Sequence, residues 1–221
     1  VAKAYSLVDI ELLEHCIREE LNEAAPRRVA ILDPIKVVVT NFPEDKVEYF
    51  ELPNNPSDEN AGKRKVPFTR ELYIEVPPPK FFRMKPDGEV RLMGAYIVKC
   101  NEVVKNADGS IKELHCTADL ETGASMPADG RKIKGTIHWL SAKFARDADI
   151  MLYDHLFTIE NVADIPEDKT YNDYLNPDSL KKLVGCKVEE ALAKSAPGDR
   201  FQFVRTGYFV KDTKYPNTFN R

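Results

Sequence analysis

His138 and Trp139 stand side by side in GRKIKGTIHWLSA, directly after a basic, glycine-marked run, in a chain of 221 residues with four histidines and one tryptophan. A histidine so placed suits a catalytic base, a metal ligand or a nucleic-acid contact; a strand packing its rings is the structural alternative. None of His15, His115, His138 and His155 has a second ligand at metal-binding spacing. There is no G-x-S-x-G elbow, no H-E-x-x-H, no G-x-x-x-x-G-K-[ST] loop and no G-x-G-x-x-G after a strand, so no local pattern supports hydrolytic or transfer chemistry. Acidic residues are plentiful, but no spacing singles out an acid/base pair. Cys16, Cys100, Cys116 and Cys186 lie far apart without a C-x-x-C pair, and read as reduced thiols. The expectation is therefore no catalytic residue and no metal in this chain.

Arginine, lysine and glutamine on strands remain. The formal charge of −4 argues against nucleic-acid binding at face value, but residues 1 to 25 carry all of it, and residues 63 to 91 hold eight basic residues against four acids. Solvated strand faces explain such a segment equally well. In RFQFVR, Gln202 projects opposite to Phe201 and Phe203, and Arg205 shares its face only if a bulge or twist intervenes. Planar guanidinium and amide groups on a stiff sheet match the edges of unstacked RNA bases, which need bidentate partners in fixed directions.

The elements that must position these groups are mostly strands. Ile10, Leu13, Ile17 and Leu21 recur at helical spacing, predicting one helix over 6 to 24, with Ser6 and Asp9 as a capping pair and Pro26 as its end. That helix buries one stripe and is expected to pack on something outside this chain. Thereafter runs rich in Val, Ile, Phe and Tyr alternate with turns carrying adjacent Asp and Gly at 87–88, 108–109, 129–130 and 198–199. Strands are predicted over 29–40, 46–52, 66–76, 80–84, 89–104, 111–117, 131–140, 149–159 and 201–210. These exceed one small barrel, so the fold class is mainly β: two antiparallel β-barrels preceded by one α-helix. Segment 51–65 reads as a loop, and 162–180 as an acidic excursion with a short helix near its end. No signal peptide and no run of about 18 apolar residues is present, which gives the expectation of a cytoplasmic protein without a membrane partner.

The stretches CIREELNEAAPRRVAILDPIKVVVTN, KRKVPFTRELYIE, EVRLMGAYIVKC, LHCTADLET, PADGRKIKGTIHWLSA, LYDHLF, LNPDSL and APGDRFQFVRTGYF run in family order. They resemble the C-terminal half of the glutaminyl-tRNA synthetases, class I aminoacyl-tRNA synthetases, with DGRKIKGTIHW the most specific. The resemblance implies two β-barrels gripping the anticodon loop of tRNA(Gln), with its bases splayed into separate pockets, and no DNA partner. Arg27, Gln202 and Arg205 fall where the family contacts the middle base, a uridine. Arg83 falls at the third base, a guanosine, with Lys80 nearby, and Arg91 at the first. Met93, Phe82 and Lys80 depart from the bacterial pattern of arginine, lysine and glutamine; Phe82 suits base stacking or barrel packing. His138 and Trp139 then belong to a core strand, on opposite faces.

On this resemblance, residues 1–25 are a helical remnant linking to an absent catalytic part, and 26–221 hold the two barrels. One is expected from about 26–40 plus 150–221, the other from about 41–149, with a final strand missing after FNR. The parent's ligation of glutamine to tRNA, with ATP and Mg, belongs to a Rossmann-type domain whose H-I-G-H and K-M-S-K-S type signatures do not occur here. This region alone is therefore expected to be inactive and to hold no cofactor. The alternatives are the same barrel region of a eukaryotic or archaeal-type glutamyl-tRNA synthetase, and a protein-interaction β-barrel, with multi-synthetase partners as an added option.

Overall fold

In the computed structural model, residues 9–75, 84–133 and 135–221 are described. The first helix, α1 (Ile10–Ala24), begins at the first residue of its apolar series, where Asp9 is its N-cap and accepts from the Glu11 amide at 2.9 Å. Ser6 lies outside the described residues. Ile10, Leu12, Leu13 and Ile17 are 44–58 % exposed, and only Leu21 is buried. The stripe expected to pack is thus open to solvent along three of the helix's turns, and the last turn alone anchors it.

Among the described residues the strands form two seven-stranded sheets and a two-stranded ribbon. The first sheet contains β1 (Arg27–Arg28), β2 (Ala30–Ile31), β12 (Arg146–Tyr153), β13 (Leu180–Val188), β14 (Arg200–Phe203), β15 (Gly207–Lys211) and β16 (Thr218–Asn220). Its order is β1-β14-β15-β16-β12-β13-β2. The two edges, β1 and β2, are one stretch of chain interrupted only by Val29, so the sheet must curl until it meets itself. The second sheet contains β3 (Pro34–Val39), β6 (Glu71–Glu75), β7 (Glu89–Leu92), β8 (Ile97–Lys105), β9 (Ile111–Asp119), β10 (Thr136–Ile137) and β11 (Trp139–Ser141). Its order is β10-β7-β8-β9-β3-β6-β11, and its two edges are again one stretch, interrupted only by His138. Each sheet thereby removes its free edges, as a barrel does. The predicted fold class is the observed one.

The ribbon, β4 (Glu48–Pro53) and β5 (Lys63–Phe68), packs on the second barrel through Phe50, Leu52, Val66 and Phe68. The Phe68 ring meets Trp139 edge-on at 5.1 Å, and Trp139 donates its indole N–H to the Met93 carbonyl at 3.0 Å. Gly94 follows at φ 66°, where a Cβ would lie 2.3 Å from Leu52 Cδ2, so only glycine lets this turn pass beneath the ribbon.

Several strand assignments differ from the sequence expectation: the predicted strands 66–76, 89–104 and 201–210 are each divided in two by a turn. Pro34–Val39 pairs with β6 and β9 in the second barrel rather than joining 26–31 in the first. The chain changes barrel at residues 32 and 33, where the Glu75 carboxylate accepts both amides at 2.7 and 2.9 Å. Residues 146–149 belong to the first barrel, within β12. Leu180–Val188, where the sequence predicts no strand, is a full strand; its first half is solvent-exposed and Gly185 sits at φ 75°, so no apolar alternation announces it. Segment 162–180 holds two short 3₁₀ turns, at Val162–Asp164 and Tyr171–Tyr174. Thr218–Asn220 is paired with β12 and β15. Among the described residues no helix is long and apolar enough to cross a membrane.

The barrels meet along their closing segments. Val29, Ile31 and Leu140 form a separate apolar cluster between them, with Met93 and Val204 packed against it. Beside it the Glu189 carboxylate, 9 % exposed, accepts from the Val29 amide at 2.6 Å and from Arg64 Nε and Nη2 at 2.8 and 2.6 Å. One carboxylate therefore ties together the first barrel, its closing segment and the ribbon of the second. Removing it leaves the Val29 amide without a partner and the Arg64 guanidinium with no counter-charge, held only by its Nη1 bond to the Pro53 carbonyl at 2.8 Å. Glu189→Ala is expected to lower the unfolding free energy by about 3–5 kcal/mol in urea denaturation, and the double change Arg64→Met with Glu189→Met to cost less than Glu189→Ala alone.

Candidate nucleic-acid interface

A cleft of about 410 Å³ lies between the barrels and the ribbon. Arg27, Gln202, Val204 and Arg205 line it from the first barrel, Met93 and Gly94 from the second, and Leu52, Pro53 and Arg64 from the ribbon. The three residues assigned to one base from opposite ends of the sequence thus converge. Arg27 and Gln202 are direct partners in the parallel β1–β14 pairing, which places them side by side on the sheet. Arg205 reaches the same cavity by another route. The chain turns after Phe203, and Arg205 adopts left-handed backbone at φ 63°, a conformation that breaks strand alternation. Its Nη1 donates to the Thr136 carbonyl of β10, so its side chain bridges the two barrels.

Arg27 is buried, and part of its guanidinium finishes α1. Nη1 donates to the carbonyls of Asn22 and Ala25 at 2.7 and 2.9 Å, and Nη2 to Asn22 Oδ1 at 2.7 Å. These bonds satisfy last-turn carbonyls that a helix cannot pair internally. Of five N–H groups, that on Nε and one on Nη2 are outside this cap.

Arg91 does not line the cleft. Its Nη1 donates to the carbonyls of Ala95 and Gly123 at 3.0 and 3.2 Å, and its Nη2 to Ser125 at 2.6 Å, so it staples the 123–125 turn to the second barrel. Arg83, Lys80 and Phe82 lie outside the described residues. Met93, which stands in place of the family's arginine, also lines the cleft, as do Gly94 and Arg64, which no motif had marked for it. The signals present were the glycine inside the apolar run RLMGAY and the basic excess around residues 63 to 91.

His138 is 9 % exposed, at the one-residue switch between β10 and β11, and its Nε2 has no partner among the described residues. Burial first, and the positive charge of Arg205 second, push its pKa down to about 4. It is a neutral packed ring at the seam beside the cleft. Trp139, 1 % exposed, belongs to the second barrel's core. Cys100 and Cys116 are buried neighbours on β8 and β9, and burial raises both thiols above their usual range. Among the described residues no group of three His, Cys, Asp or Glu side chains is arranged to hold a metal ion.

Two family models, both described as tRNA synthetases class I (E and Q), anti-codon binding domain, match residues 25–119 and 136–212. The chain belongs to this family. It is 50 % identical over 218 residues to a glutamine–tRNA ligase of Rhodopirellula baltica, covering 96 % of this chain and 36 % of that protein. It is equally similar, 50 % over 220 residues, to the glutamine–tRNA ligase of Xanthomonas axonopodis pv. citri, covering 97 % of this chain and 38 % of the relative. With that of Xylella fastidiosa the identity is 50 % over 218 residues, 96 % of this chain and 37 % of the relative. The chain thus spans little more than a third of the curated relatives it matches. The two matched regions meet near the cleft: the first holds Arg27, Arg64 and Met93, the second Gln202 and Arg205.

The environment of His138 makes stability pH-dependent in a defined direction. An unfolded imidazole takes up its proton near pH 6.5 and the folded one near pH 4, so between those values the unfolded state binds more protons and stability falls as pH falls. Between about pH 7 and about pH 4.5 the native chain is expected to lose about 2 kcal/mol more in urea unfolding than His138→Phe, which carries no titrating group there.

Proposed function

We propose that this chain is the tRNA-reading part of a glutamine–tRNA ligase, and that the middle base of the anticodon of tRNA(Gln), a uridine, enters the cleft between the barrels. The observation that carries this is the convergence of Arg27, Gln202 and Arg205 on one cavity from both ends of the chain. In this reading Gln202 offers donor and acceptor together to the Watson–Crick edge of the uridine, which presents both. Arg205 sits at the mouth as the exposed cation, and the uncapped N–H groups of Arg27 close the inner wall. Leu52, Pro53 and Val204 exclude water from the base.

Arg83 and Lys80 are proposed for the third base, with Phe82 as a stacking surface. Arg91 is proposed at the first-base pocket through the turn it holds, since its donors already engage three carbonyls. The ligation step, with its ATP and Mg, is assigned to the remainder of the parent protein, and the cytoplasm is proposed as its compartment.

RNA binding measured by fluorescence anisotropy checks this reading. An anticodon stem-loop with a middle uridine is expected to bind with affinity that falls steeply as salt rises. Arg205→Ala is expected to cost about 1–3 kcal/mol and to narrow the preference for uridine over cytidine at that position. Equal affinity for all four middle bases in the native chain would refute the assignment.

A further inference from the structure

Arg64 lines a second cavity, of about 230 Å³, at the seam between the barrels. Its apolar wall is formed by Val66, Leu140 and Phe144, and its polar side by Arg28, Arg64 and Lys65 with Glu189 and Glu190. The charges there do not balance. Arg64 and the Val29 amide together occupy both oxygens of Glu189. Glu190 is held by Lys194 at 3.0 Å and Arg146 at 3.2 Å. Arg28 donates only to neutral oxygens, the Arg27 carbonyl at 2.8 Å and Asn54 Oδ1 at 2.9 Å. Its Nε is buried with no partner among the described residues. Burial first and the neighbouring Arg64 second lower its pKa, against the opposing pull of Glu189, whose oxygens are bonded to Arg64 and the Val29 amide.

We propose that this cavity is a binding site for a small amphiphilic anion, a carboxylate or phosphate monoester on an aromatic or branched aliphatic body. The anion accepts from Arg28 Nη2, which makes no hydrogen bond among the described residues, and faces Lys65, while the body packs on Leu140 and Phe144. Size sets the class: drug-sized ligands fill pockets upward of about 300 Å³, so this one takes a fragment with a single ring. The site stands independently of the RNA reading, because no residue assigned to a base touches it.

Titration of the full 221-residue chain with benzoate, phenyl phosphate and benzyl alcohol, followed by amide and arginine Nε resonances, tests this. At least one of the two anions is expected to bind saturably, with one site, shifting Arg28 Nε and Val29; the stronger of the pair identifies the headgroup. Benzyl alcohol is expected to bind at least about tenfold more weakly, the charge-assisted bond being absent. Arg28→Met should weaken the anion at least about tenfold, and Lys65→Met, on the exposed edge of β5 outside the buried network, severalfold. Benzyl alcohol binding as tightly as the anions, affinity unchanged in Lys65→Met, or no saturable shift with either anion would each overturn the proposal.

Discussion

The arrangement of this molecule depends on one buried carboxylate. Glu189 stands where the first barrel ends a strand and begins a helical turn, and it accepts from the backbone of residue 29 and from the Arg64 fork at once. A buried ion pair is often a poor source of stability, because desolvation offsets attraction. Its value here is positional. A carboxylate bound by three donors in fixed directions joins the first barrel, its closing segment and the ribbon at a seam whose Arg64 also lines the cleft. Glu75 repeats the device a few residues on, holding the amides of Leu32 and Asp33 where the chain crosses between barrels.

A second constraint is closure. Both barrels end on a segment that changes partners across one residue, Val29 in one and His138 in the other. Such a switch point makes its backbone leave the ladder, and burial then demands a side chain that needs no water. Valine meets this simply. Histidine meets it by staying neutral, which ties the second closure to pH and to the neighbouring charge of Arg205. The residue pair that first suggested catalysis is thus a packing device at the seam between the barrels.

Much of this was legible in the residue pattern, and the failures have physical causes. The two-barrel class followed from the number of strands and the Asp-Gly turns, several of which do adopt left-handed backbone, as at Asp87, Gly109, Gly130 and Gly198. The convergence of Arg27, Gln202 and Arg205 came from family resemblance, since periodicity put Arg205 on the wrong face. It could not have anticipated a turn at residue 204. The strand at 180–188 was missed because its leading half is exposed on both faces. The placement of Pro34–Val39 was missed because a strand's hydrophobic pattern records that it is buried, not which of two cores buries it. Nothing in the local sequence marks Arg91 as the staple of the 123–125 turn, because its partners are carbonyls, which every residue offers.

The pairing of Arg27 with Gln202 has a temporal consequence. The two side chains share one wall of the cleft yet come from strands far apart in the chain, so that wall closes only once β14 has been made and has paired with β1. A shortened chain that stops before residue 200 would leave β1 as an unpaired edge and the cleft without the Gln202 half of that wall.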